Sequence, residues 1–199
     1  PCVAGVNAKS KKEALLAAQK LGYPVALKII SKDILHKSDV GGVCLNIVDA
    51  SSLEKAYTEL IQTVKKNCPT ALIEGVKIEK MMSEGIELIV GMKRDDNFGP
   101  LLMVGMGGIY VEMAKDVSFR IAPITNEESR AMLQETSAGK ILSGYRGSEY
   151  DSDAVIEVIQ ALGRLSMDFQ KIREIEINPL TVFTKGKGAI ALDYRIILE

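Results

Sequence analysis

The chain has 199 residues, 47% hydrophobic and 26% charged, with a formal net charge of −1. That length can bury a sizeable core as one large domain or two small lobes, and the near-neutral balance argues against a general nucleic-acid binder, which carries a basic surplus. Aromatic residues make up 5% and Trp is absent, which disfavours base-stacking platforms, and no apolar run approaches the ~18 residues of a membrane span.

Lys12 to Leu21 reads as a short helix, with Ser10 as its N-cap and Ala14, Leu15, Ala18 and Leu21 on one face. Gly22 ends it, where a helix stop commonly needs a left-handed residue. Pro24 to Ile30 is a strand, apolar except for Lys28. Lys32 to Gly42 holds charges, the sole histidine and a Gly pair, and reads as a loop. Val43 to Val48 is strand-like, and Ser51-Ser52-Leu53-Glu54 reads as a capping box opening a helix to about Lys66. Val76 to Met81 and Glu87 to Met92 follow as strands joined by a turn at Ser83-Glu84-Gly85. Leu101 to Val104 and Tyr110 to Met113 flank the cluster Gly105-Met106-Gly107-Gly108. Thr125 to Glu128 starts another helix with acids in its first turn, where the helix dipole favours them. Gly139 to Ser152 is the most loop-like stretch, and Asp153 to Phe169 an amphipathic helix. Glu174 to Val182 and Ala189 to Asp193 finish as a hairpin turned by Lys185-Gly186-Lys187-Gly188. This order predicts an α+β fold with mainly antiparallel sheets.

Several chemistries are excluded first. No Gly-x-x-x-x-Gly-Lys-Ser/Thr loop is present, and Tyr110 stands where a dinucleotide motif needs its third glycine. One histidine cannot build a multi-histidine zinc site. Cys2, Cys44 and Cys68 are odd in number and far apart, which predicts no disulfide framework and a reducing, cytoplasmic compartment. The chain opens at Pro1 without an initiator Met, which reads as a piece of something longer.

Four features remain. Alternation along Glu174-Ile175-Glu176-Ile177-Asn178-Pro179 puts Glu174, Glu176 and Asn178 on one face, with Asp193 on the next strand. Hard oxygens of this kind suit magnesium, which takes its other ligands from waters and phosphates; the alternative is an exposed polar hairpin face. Lys28, half-buried in an apolar strand, needs an anion such as a nucleotide phosphate, unless it lies on an edge strand with its head in solvent. Glu79-Lys80-Met81-Met82, followed by Glu87, offers free backbone groups and soft side chains for an adenine ring, although Met81 and Met82 alone are more often core residues. His36, in His-Lys-Ser-Asp-Val-Gly-Gly, is either surface decoration or a nucleophile that carries phosphate.

Together these segments resemble an ATP-grasp domain, specifically that of ADP-forming acyl-CoA (acetyl-CoA) synthetases of the β-subunit type. The matching stretches are Leu-Gly-Tyr-Pro-Val-Ala-Leu-Lys-Ile, Ile-Leu-His-Lys-Ser-Asp-Val-Gly-Gly-Val, Gly-Ile-Glu-Leu-Ile-Val-Gly, Asp-Asp-Asn-Phe-Gly-Pro, Gly-Met-Gly-Gly-Ile-Tyr-Val-Glu and Glu-Ile-Asn-Pro-Leu with a late Leu-Asp. They span nearly the whole chain in family order. The resemblance implies two lobes of mainly antiparallel sheet with helices, about 1–82 and about 83–199, with ATP or ADP bound between them. It implies Lys28 as the phosphate-contacting lysine, Glu79, Lys80, Met81 and Met82 as the adenine hinge, and Glu87 as the ribose carboxylate. Asn178 and Asp193 would hold Mg2+, Glu176 would lie beside the travelling phosphoryl group, and His36 would be a phosphohistidine on a mobile loop. Arg120 and Lys115 could add positive charge. The implied reaction interconverts acyl-CoA, ADP and phosphate with the carboxylic acid, CoA and ATP. The family's helix before the Pro1 region and its CoA-binding part are missing from this sequence, so partner portions are expected in the same longer chain or in a second subunit. No nucleic acid or membrane partner is implied. The alternative is a regulatory ATP-grasp-like domain fused to a protein acetyltransferase, sensing ligand without turnover; the intact Lys28, His36, Asn178 and Asp193 favour catalysis.

Overall fold

The computed structural model of the chain describes residues 1–34, 36–82, 85–107, 116–145 and 147–199. They form two compact units, residues 3–83 and residues 1–2 with 84–199.

The first unit holds β1 (Gly5–Ala8), α1 (Lys11–Leu21), β2 (Val25–Ile30), β3 (Val43–Ile47), α2 (Ala50–Asn67) and β4 (Gly75–Lys80). Its sheet runs β1-β4-β2-β3, every pair antiparallel. Alternation sends Val25, Leu27 and Ile29 of β2, with Val76 and Ile78 of β4, into a core with Ala14, Ala17 and Ala18 of α1 and Leu53, Leu60 and Val64 of α2. Ser10 caps α1 by accepting from the Glu13 N–H, and Gly22, at φ 76°, stops it by donating its own N–H to Ala18. The capping box of α2 is Asp49 with Ser52, not Ser51 with Glu54. The aspartate already precedes the first turn, and its carboxylate accepts from the Ser52 N–H at 2.7 Å. Strand β1 was not anticipated; it is four residues long and has only one buried side chain, so its periodicity is faint.

The second unit holds β5 (Ile86–Asp95), β6 (Gly99–Met106), β7 (Val117–Ile121), α3 (Asn126–Gln134), α4 (Ser137–Leu142), α5 (Ser152–Asp168), β8 (Ile172–Val182), β9 (Ala189–Ala191) and β10 (Tyr194–Leu198). The sheet order is β10-β8-β5-β6-β7, with β9 also on β8. Val155, Ile156, Ile159 and Leu162 of α5 pack on Leu88, Val90, Met92, Leu102, Val104, Ile175, Leu180 and Val182. Arg94 caps the other end of α5, donating to the Ser166 carbonyl at 2.5 Å and to the Ile172 carbonyl beyond it at 3.1 Å. The expected strand Tyr110–Met113 lies outside the described residues, as do Ser83 and Glu84 of the expected turn. The stretch read as most loop-like begins inside α4, which Thr136 caps. Ile159 is fully buried; Ile159→Ala is expected to cost about 3 kcal/mol, read from the denaturant midpoint, and a loss below about 1 kcal/mol would contradict this core.

Candidate functional site

Lys28 sits in β2, an interior strand, so the edge-strand alternative falls. Its side chain is 14% exposed, and its Nζ lies 2.7 Å from Glu79 Oε2. Lys77 Nζ takes the other oxygen at 2.6 Å. The register explains the trio: Lys28 stands directly opposite Lys77 on β4, and Glu79 follows two residues along the same face. Two ammoniums around one buried carboxylate leave one net positive charge on the face turned away from the helices.

The expected hinge is divided. Glu79 belongs to β4, and its carboxylate is the counter-ion of the two lysines rather than part of a connecting segment. Lys80 Nζ donates to the carbonyls of Gly22 at 2.7 Å and Tyr23 at 3.3 Å. Met81 is past the strand, but its N–H donates to the Pro24 carbonyl at 3.1 Å and so is not free. Met82 is half-buried beside it, and Glu87 is exposed near the start of β5, opposite Thr181.

His36 is exposed. The turn after it is built from backbone: Gly41 donates to the Ser38 carbonyl at 3.1 Å and Gly42 to the Lys37 carbonyl at 2.7 Å. Asn67 on α2 donates to the Val40 carbonyl at 3.1 Å. A Cβ at Gly42 would stand 2.6 Å from Ile29 Cγ2 and 2.9 Å from the Lys37 carbonyl, so only glycine fits that corner.

Asn178 and Asp193 meet where the sheet breaks register. On the β5 side, Leu88 pairs with Leu180 but Val90 pairs with Ile177, so Ile89 alone faces Asn178 and Pro179. On the other side, β9 ends at Ala191 and β10 starts at Tyr194, which corrects the expected strand Ala189–Asp193. The gap is bridged by the Asn178 N–H donating to the Asp193 carbonyl at 3.1 Å and the Leu192 N–H donating to the Pro179 carbonyl at 3.0 Å. A bulge re-aims side chains and interrupts a ladder, and here it shifts the core-facing set from Ile175 and Ile177 to Leu180 and Val182. Simple alternation along β8 therefore holds for Glu174 and Glu176 and breaks at Asn178–Pro179. Asp193 Oδ1 accepts the Tyr194 N–H at 3.0 Å. The side chains of these two residues, an amide and a carboxylate, carry hard oxygen donors of the kind that suits magnesium. Among the described residues no three of His, Cys, Asp and Glu gather around a cation, so such an ion would draw most of its shell from phosphate and water.

Glu176 is half-buried and pairs with Arg195 at 3.0 Å. Arg195 was missed by the sequence reading, although its β10 register sets it opposite Glu176; the signal was its spacing two residues after Asp193. Lys77, also missed, lies two residues before Glu79, the alternation that places both on one face. Arg120 is corrected: it points to the helix side, where its guanidinium bonds Glu135 and, with the Ser118 hydroxyl, holds that carboxyl below the usual range. Lys115 lies outside the described residues.

A family model for the ATP-grasp domain matches residues 1–198. Acetate–CoA ligase [ADP-forming] I of Archaeoglobus fulgidus is 48% identical over 192 residues, covering 96% of this chain and 28% of that protein. The chain thus spans just over a quarter of that relative. The β subunit of acetate–CoA ligase [ADP-forming] II of Pyrococcus furiosus is 44% identical over 194 residues, 96% of this chain and 82% of that subunit. Among solved structures, the dinucleotide-forming acetyl-coenzyme A synthetase 1 of Ca. Korarchaeum cryptofilum, in complex with coenzyme A, Ca-AMPCP and HgCl+, superposes with a TM-score of 0.94 at 41% identity, over 100% of this chain and 86% of that one. A second structure of that enzyme, with Mg-AMPPCP and its phosphohistidine segment pointing towards the nucleotide binding site, matches at 0.83 and 35% identity, over 100% and 85% of the two chains.

Proposed function

The chain belongs to the ATP-grasp domain family, and from that premise we propose that it is the nucleotide-binding part of an ADP-forming acyl-CoA synthetase. The reaction is acyl-CoA, ADP and phosphate to carboxylic acid, CoA and ATP, through a phosphohistidine at His36. The observation that supports this reading is the backbone bond from the Asn178 N–H to the Asp193 carbonyl at the register break, which sets two residues with hard oxygen donors in their side chains next to each other. Those two residues would hold Mg2+, which neutralises phosphate charge when bound. Lys28, with Lys77 beside it, would draw the nucleotide phosphates through the surplus positive charge left by Glu79. The Met81–Met82 segment would pack the base and Glu87 would accept from the ribose hydroxyls, while Lys80 braces the segment through the Gly22 and Tyr23 carbonyls.

Phosphoryl transfer asks for positioning and charge neutralisation more than covalent help. His36 supplies the one covalent element: an exposed imidazole at the edge of a turn, free to receive phosphate from elsewhere and pass it to ADP. Glu176 would serve the travelling phosphoryl group. The CoA-binding and ligase portion would lie in the same longer polypeptide, as the 28% coverage of the Archaeoglobus protein suggests, or in a second subunit, as the Pyrococcus β subunit suggests. No helix among the described residues is long and apolar enough to cross a membrane, and the three free cysteines suit the cytoplasm.

The direct test is thermal shift. ADP with magnesium at about 100-fold above its Kd is expected to stabilise the chain by about 2.7 kcal/mol. Asp193→Ala should lose the magnesium-dependent part of the shift; no shift in the unmodified chain would refute nucleotide binding.

A further inference from the structure

On the open face of the first unit's sheet, one row across the strands reads Asn7, Lys77, Lys28 and Val43, and the next reads Gly5, Glu79 and Ala26. Asn7, Val43, Gly5 and Ala26 are uncharged, so these two rows hold two ammoniums and one carboxylate. Further along the sheet, past Ile30 and Gly75, Lys32 and Glu74 pair with each other at 3.7 Å. Lys80, next to Glu79 in sequence, is engaged with the Gly22 and Tyr23 carbonyls. Glu79 is 4% exposed, too dry for a bare carboxylate, so it must keep a cation at all times. Both lysines serve it, Lys28 at Oε2 and Lys77 at Oε1. They differ in freedom: Lys28, on an interior strand, is 14% exposed, whereas Lys77 is 35% exposed. A Cβ on Gly5 would stand 2.9 Å from Lys77 Cε and 3.0 Å from Glu79 Cγ, so the glycine leaves a lane along which Lys77 reaches the carboxylate.

An anion that approaches Lys28 meets an ammonium already shared with Glu79. Were Lys28 the sole counter-ion, carboxylate and phosphate would crowd one ammonium and repel each other. Lys77 removes that conflict, because it holds the second carboxylate oxygen and keeps Glu79 neutralised while Lys28 turns to the phosphate. We propose that Lys77 is a positioning residue for nucleotide binding: it takes over Glu79 and thereby frees Lys28 for the phosphates. This role rests on the reading of Lys28 given above, and the hand-over takes place wholly within the first unit. Lys77 need not touch the nucleotide, and its effect exists because Glu79 is charged. A double-mutant cycle between positions 77 and 79 therefore reads the role directly.

The test titrates the full 199-residue chain with magnesium-ADP by calorimetry, alongside denaturant midpoints without ligand. Lys77→Met is expected to weaken binding about 10-fold, the size of one unit-charge contact in partly hydrated surroundings, with little change in midpoint. Lys77→Arg should stay within about 3-fold of the parent, because a guanidinium also holds a carboxylate. In a Glu79→Gln background, Lys77→Met should cost less than about 2-fold, because no charged carboxylate is left to take over. Where Glu79→Gln alone folds too poorly to titrate, the double variant is compared with Lys77→Met; adding Glu79→Gln should bring the Kd back to within about 3-fold of the parent. A Kd for Lys77→Met within about 2-fold of the parent overturns the role. So does an equal loss in both backgrounds, or a double variant as weak as Lys77→Met, either of which makes Lys77 a direct phosphate contact. In each of these cases the proposed function stands. If the unmodified chain binds no magnesium-ADP, the proposed function falls and this role falls with it.

Discussion

Replacing His36 by alanine is expected to abolish ATP formation when the CoA-binding portion is supplied, a loss of at least about 10³-fold, on the scale seen when a covalent nucleophile is removed. Nothing nearby can substitute. His36 is the sole histidine of the chain, and its neighbours Lys37, Ser38 and Asp39 offer an ammonium, an alcohol and a carboxylate instead of an imidazole that is a good nucleophile near neutral pH. The substitution should not disturb the fold, because His36 is exposed and the adjoining turn is closed by backbone bonds from Gly41 and Gly42; an exposed change of this kind stays within about 0.5 kcal/mol. ADP with magnesium should therefore stabilise the variant as much as the parent. Steady-state ATP formation and thermal shift, measured side by side, check both halves. Unchanged turnover would sink the phosphocarrier role while leaving nucleotide binding intact.

The parts of this fold that could be read from sequence are those where local rules and tertiary packing agree. The helix starting after Ser10, the stop at Gly22 and the helix opening at Thr125 each carry a cap that acts through its own side chain or φ angle. Strand β2 reads as apolar except for Lys28 because one face packs on α1 and α2 and the other is mostly covered as well. What could not be read is set by partners distant in sequence. The apolar run around it placed Lys28 in a strand, but only the β2–β4 register decides that Lys77 is opposite and Glu79 is its counter-ion. The same holds for Asn178. Its proximity to Asp193 was foreseen from strand order, whereas the double break in register that brings the two together depends on β5, β9 and β10 at once. Arg195 escaped notice for the same reason: its spacing after Asp193 is a local signal, but only the β10–β8 register shows which glutamates it joins.

The largest stability effect is expected at Glu79. Its side chain is 4% exposed and holds Lys28 Nζ at 2.7 Å and Lys77 Nζ at 2.6 Å, with Lys28 itself 14% exposed. Removing one partner of a buried ion pair strands the other, which costs about 3–5 kcal/mol because an uncompensated charge is left in a poorly hydrated place. Glu79→Leu leaves two ammoniums facing each other across β2 and β4, so the upper end of that range applies to Lys28, while Lys77, 35% exposed, can turn to water and adds little. The loss should appear as a lower denaturant midpoint with little change in slope. Pairing Glu79→Leu with Lys28→Met should restore most of it, since two apolar chains of similar volume avoid the desolvation that the charged pair suffers. That double variant would then separate the two tasks that meet at Lys28: a chain as stable as the parent, yet without the ADP-dependent stabilisation, would assign the lysine to the phosphates as well as to Glu79. A Glu79→Leu loss below about 1 kcal/mol would mean that the pair is hydrated in solution and that the positive surplus offered to a nucleotide comes from elsewhere.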